Sequence, residues 1–114
     1  MTTINIAQQF SSSPAGRFHE DGPFNGALFR ENFLVPALND LKDGDDLIVI
    51  LDGVSGFGSS FLEEAFGGLV RDHRFDSYFL KNRIRVVYSD PALAFYADSI
   101  ADFLDDAGNA WLAN

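Results

Sequence analysis

Apolar and polar positions along the chain alternate between strand-like runs and helix-like stretches. Thr2–Ala7 places Ile4 and Ile6 on one side, which predicts an edge strand. Ser11-Ser12-Ser13-Pro14 ends it, and Ala15–Pro23 reads as a loop with a brief strand around Arg17-Phe18. Helical spacing begins near Asn25, with Leu28, Leu34, Leu38 and Leu41 as the apolar face, and Asp40–Asp46 closes the segment. Pro36 falls inside this pattern. It lacks the N–H that would reach the Asn32 carbonyl, so the helix is predicted to kink or to split in two.

Leu47–Leu51 is an unbroken apolar run, the pattern of a fully buried strand. It leaves through Asp52-Gly53 into a loop of Gly and Ser. Apolar residues then fall at 61, 62, 65, 66, 69 and 70, one face of a helix, with Glu63, Glu64, Gly67, Gly68 and Arg71 on the other. Arg83–Tyr88 is the next strand. Ser89-Asp90-Pro91 is a helix start with proline in the first turn. Leu93, Tyr96, Ala97, Ile100 and Leu104 mark the helix that follows. Residues 107–114 form a short tail in which Trp111 is expected to dock on the body. The whole chain, 1–114, reads as one small α/β domain with helices packed on a sheet.

Composition excludes several chemistries. A chain of 114 residues with 46% apolar residues and 12 Phe can bury a core, and with no Cys it has no disulfide and no thiolate nucleophile or metal ligand. No apolar stretch approaches the roughly 20 residues of a membrane span, and the N-terminus lacks a basic, hydrophobic signal region. A soluble, cytoplasmic protein is expected. Seventeen acidic against eight basic residues give a net charge of −9. That charge repels a phosphate backbone, so nucleic acid is not the expected partner, whereas a basic protein surface would be attracted. Acidic residues gather in Asp40–Asp46 and Asp98–Asp106, the pattern of solvated faces.

The candidate chemistry centres on Ser59-Ser60, where a buried strand hands over to an amphipathic helix. Free backbone N–H groups and the positive end of the helix dipole meet there. One serine is expected to cap the helix. If Ser60 does so, Glu63 lies three residues on and completes a capping box. Ser59 is then the candidate phosphoacceptor, and Gly58, Ser59, Ser60, Glu63, Glu64, Gly67 and Arg71 are the candidate partner surface. Gly67-Gly68 inside a helix implies a close neighbour, either the protein's own first helix or a partner.

Arg17 and Arg30 could clamp an anion; alternatively Arg17 pairs with a nearby carboxylate. Glu63 and Glu64 are adjacent and diverge by about 100°, so they do not face one another as a catalytic pair. Asp52 is the candidate second carboxylate. His19 and His73 have no partner in sequence, and no zinc spacing, phosphate loop or nucleophile elbow is present. The glycines at 53, 56 and 58 suit tight turns with positive φ. No catalytic residue, metal or cofactor is expected.

Gly53-Val54-Ser55-Gly56-Phe57-Gly58-Ser59-Ser60 resembles the strand-to-helix loop of STAS domains in bacterial anti-sigma factor antagonists, with Ser59 where those proteins carry a phosphorylated serine. Gly58 stands where they have Asp, and Phe61 where they have Gly. Ser60-Phe61-Leu62-Glu63-Glu64, with Gly16-Arg17-Phe18, Asp21-Gly22-Pro23, Phe29-Arg30-Glu31 and Pro36-Ala37-Leu38, is more similar still to a STAS-like family of unknown function, over about residues 2–105. The resemblance implies a small STAS-like domain, a mixed sheet of about four strands with helices packed on it. It also implies a regulatory module whose partner is an ATP-binding histidine-kinase-like protein. The alternative is a small-molecule or nucleotide-sensing domain using the serine loop and Arg17.

Overall fold

The computed structural model describes residues 2–113. Strands β1 (Thr2–Asn5), β2 (Leu47–Ile50) and β3 (Ile84–Val87) lie side by side in chain order, and both pairings are parallel. Thr2, Leu47 and Ile84 are neighbours at one end of the register, and Asn5, Ile50 and Val87 at the other. The sheet is therefore parallel and three-stranded among the described residues, not mixed with about four. No strand forms at Arg17-Phe18. Their N–H groups donate to the Asp21 carboxylate at 3.0 and 3.1 Å, ahead of a single 3-10 turn at His19–Asp21, and so are lost to any ladder.

Parallel neighbours need a long crossover between them. A short helix α1 (Ile6–Gln9) follows β1, so the edge strand ends at Asn5 and Ile6 turns into the core. Helix α2 is continuous over residues 26–39. It opens as Gly26–Phe29, widens to a π turn at Arg30–Leu34 and closes as Val35–Asn39. Pro36 does not split it. The π turn sends the Val35 N–H to the Arg30 carbonyl, and the proline follows in the first turn of the last segment, where a donor is dispensable. Helix α3, residues 59–71, has the same plan: Ser59–Leu62, a π turn at Glu63–Gly67, then Gly68–Arg71.

Helix α4 (Ser77–Arg83) is not legible in the apolar spacing, yet Asp76 caps it by accepting from Phe79 N at 2.9 Å. A 3-10 turn at Pro91–Leu93, capped by Asp90, leads into α5 (Ala94–Ala113). Residues 107–113 of the expected tail are thus the end of α5, and Asn114 lies outside the described residues. Trp111 is half-exposed, with the Arg74 guanidinium 5.3 Å from its ring centre.

Sequential parallel strands joined by right-handed crossovers put their helices on one side. Ile4, Leu47, Val49 and Ile84 are accordingly buried, whereas Thr3, Arg85 and Val87 on the other face are exposed. Helix α3 is the centre of the helical layer. Phe61, Ala65, Phe66 and Leu69 on it are fully buried, beside Phe29 and Leu34 of α2. Leu28, expected on the apolar face of α2 from spacing, is exposed instead, and Phe29 takes the inward place against Phe61 and Phe66.

Candidate functional site

The loops that follow the three strands meet at their carboxyl ends, where ligand sites of parallel sheets lie. Asp52, at the exit of β2, accepts from the backbone N–H of Ser89 at 2.9 Å and of Asp90 at 3.4 Å. The Ser89 bond, chiefly, holds its carboxyl below the ordinary aspartate value. Asp52 is therefore a tie between two loops and no free base. Ser55 binds the Ser12 carbonyl through both its N–H and its hydroxyl, at 2.9 and 3.1 Å, which fastens the serine loop to the loop after α1. Of the three loop glycines only Gly53, at φ +92°, uses the left-handed region.

Helix α3 begins one residue earlier than a serine cap allows. Gly58 is the N-cap, in extended conformation, and its carbonyl accepts from Leu62 N at 3.2 Å. Ser59 and Ser60 already have helical geometry, so neither hydroxyl reaches back to a first-turn N–H, and no capping box forms. Glu63 is engaged elsewhere. Ser59 is exposed, and its hydroxyl has no hydrogen-bond partner among the described residues.

One turn on, the polar side of α3 meets three arginines. Glu64 is 3% exposed and Arg30 of α2 is 5% exposed. Arg30 Nη1 donates to Glu64 Oε2 at 2.8 Å and also to the Glu64 carbonyl, while its Nε donates to Glu31 at 2.8 Å. Arg17 Nη1 reaches Glu63 Oε1 at 2.5 Å and Glu64 Oε1 at 3.3 Å. Arg71 closes the other side, at 2.8 Å from Glu63 and 3.4 Å from Glu64. The two adjacent glutamates, expected to diverge, are gathered into one cluster by guanidinium groups that fork between them.

Both helices are in π winding where this cluster forms, since Arg30 opens one π turn and Glu64 lies in the other. Gly26 lets the helices approach; a Cβ there would stand 2.6 Å from the Phe61 carbonyl oxygen. A Cβ on Gly68 would overlap the Arg30 guanidinium, so this glycine makes room for the protein's own α2. Burial pushes the Glu63 carboxyl up, but hydrogen bonds from Arg71 and Arg17 outweigh it and hold the group below the ordinary glutamate value.

The cluster corrects several expectations. Glu64 and Gly67 are buried and offer nothing to a partner; Gly58, Ser59, Arg71 and the partly covered Ser60 and Glu63 remain accessible. Arg17 and Arg30 do not form an open anion clamp, because each already holds carboxylates. His73, without a partner in sequence, lies 2.5 Å from Glu31. The sequence carries two signs of the buried pair. Gly26 stands at the start of α2, and the small residues Ser60 and Gly68 lie one turn to either side of Glu64 on its face of the helix.

The profile of the STAS-like domain of unknown function (DUF4325) matches residues 25–92. The chain belongs to this family. The match opens at Asn25, the N-cap of α2, and spans β2, the serine loop, α3, α4 and β3. It leaves out β1, the Arg17 loop and all of α5, so the resemblance expected over about residues 2–105 is shown for this central part. No curated protein and no solved structure matches the chain. Among the described residues no three His, Asp or Glu side chains gather as metal ligands, and no helix is long and apolar enough to cross a membrane.

Proposed function

We propose that this STAS-like protein is a non-enzymatic regulatory module that docks on a protein partner through the exposed start of α3, with Ser59 as its phosphorylation switch. The observation that carries the proposal is the Ser59 hydroxyl, exposed, uncommitted to capping, and placed in the first turn of the buried central helix. A phosphate there would add roughly −1.5 to −2 charge beside the free first-turn N–H groups. Ser59 is also four residues before Glu63 and so shares its face of the helix. A phosphoserine would repel Glu63 and compete for Arg17, coupling the switch to the 15–25 loop.

Glu63, Glu64 and Asp52 are engaged by arginines or backbone N–H groups and so are poorly placed as general bases, which supports binding over turnover. The partner class, an ATP-binding histidine-kinase-like regulator, is the one the family resemblance implies. The second reading is a small-molecule or nucleotide-sensing domain using the serine loop and Arg17, and it has less support because Arg17 already pairs with Glu63 and Glu64. The test is incubation with a host extract and ATP, read by intact mass and peptide mapping on the wild type and Ser59→Ala. A phosphate on Ser59 and altered partner capture by Ser59→Asp are the expected results. An unmodified mass, together with equal capture by both forms, would refute the switch.

A further inference from the structure

Away from the serine surface, β3 is the last strand of the sheet and, among the described residues, pairs only with β2. The Val87 carbonyl accepts from Leu51 N at 2.9 Å, so Arg85 and Val87 turn their backbone groups toward β2. Val86, one residue out of phase, then points both its N–H and its C=O outward. Ile84 gives its N–H to the Leu80 carbonyl and leaves its C=O outward. Beside this edge runs a groove of about 320 Å³ between β3 and α5. Ile84 and Val86 form its strand wall, Ala97, Ala101 and Leu104 its helix wall, and Lys81 and Tyr88 stand at its ends.

One outward N–H and two outward C=O groups beside an apolar groove are a template for a short added strand. We infer that β3 accepts an extended, basic segment of a partner protein as a fourth strand. Charge selects that occupant. Asp98, Asp102 and Asp105 recur at i, i+4 and i+7, one residue out of phase with Ala97, Ala101 and Leu104, so an acidic stripe runs alongside the groove wall. Asp105 holds Lys81 at 2.8 Å, whereas Asp98 and Asp102 are exposed with no ion pair among the described residues. The aliphatic stems of Lys or Arg fit across the alanines and carry their charged heads to Asp98 and Asp102. Alternate side chains of the same strand fall on the other face, beside exposed Val87. A second copy of this chain is the poorer occupant, because edge-to-edge pairing would set two acidic α5 stripes against each other.

The probe is a synthetic peptide of about six residues alternating Lys and Val, with a Glu–Val peptide as control. Each is titrated into the isotope-labelled full chain and followed by amide shifts and hydrogen exchange. Saturable binding of the Lys–Val peptide is expected, with shifts at Val86 and Ala101 and slowed exchange of the Val86 amide. Val86→Pro removes the outward N–H and spares the β2 ladder, so it should weaken binding by about tenfold or more. Should that variant fail to fold, the exposed pair Asp98→Asn with Asp102→Asn decides, and is expected to weaken binding and flatten its salt dependence. No binding at millimolar peptide, equal binding of the Glu–Val peptide, or unchanged affinity in both variants overturns the inference. So does a wild-type dimer whose Val86 amide is already protected. None of these residues touches the Ser59 surface, so failure here leaves the phosphorylation proposal standing.

Discussion

Glu64 shows how far one residue's role depends on what faces it. Its charge is buried and tolerated because Arg30, Arg17 and Arg71 all donate to it. Glu64→Ala takes from the Arg30 guanidinium its buried carboxylate partner and leaves it Glu31 and Asp72, and is expected to cost about 2–3 kcal/mol in urea unfolding. The paired change Arg30→Met with Glu64→Leu should recover much of that loss, since an apolar pair needs no hydrogen bonds. Glu63 makes a separate statement in pH. Its folded pKa is depressed, so its contribution is complete above the unfolded value of about 4.3 and disappears as pH falls through the lower folded value. Wild-type stability should therefore fall more steeply than that of Glu63→Gln as the pH drops below the ordinary glutamate value. Equal slopes would remove Glu63 from the acid response. From sequence, the pairing of Arg17 with a carboxylate is one of two open readings; the burial of Arg30 and Glu64 is not foreseen, since charges seldom lie in a core.

Among the elements, the crossing of α2 and α3 organises the helical layer. Each helix widens to a π turn there, and each has a glycine where the other comes closest. Gly26→Ala would set a Cβ against the Phe61 carbonyl and the Ala65 backbone nitrogen, atoms that cannot rotate away. A net loss of about 1–3 kcal/mol is expected despite alanine's better helix propensity. Stability equal to or above wild type in thermal unfolding would mean that the crossing is looser than described. The three strands, the caps at Asn25 and Asp90 and the helix over residues 59–71 are readable because period and end signals are local, whereas the serine cap expected for that last helix gives way to Gly58. Pro36 misleads because the π turn before it absorbs the missing donor, and α4 escapes notice because its signal is a cap at Asp76 instead of an apolar stripe.

For the molecule as a whole, a one-sided sheet makes β2 the deepest backbone. Hydrogen exchange at Val49 should require global unfolding, while Val86 at the sheet edge exchanges freely in the unbound protein. Similar exchange at both positions would contradict the strand order. Patterning along the chain was enough to establish the alternation of strands and helices, the buried middle strand, the helix starts at Asn25 and Asp90, and the serine-bearing turn, because each depends on neighbours within a few residues. Three outcomes waited on the folded chain: a sheet of three parallel strands, a buried Glu64 beside a free Ser59, and a β3 that ends the sheet next to an acidic helix. They rest on which distant surfaces meet, and spacing along a single chain carries no measure of that.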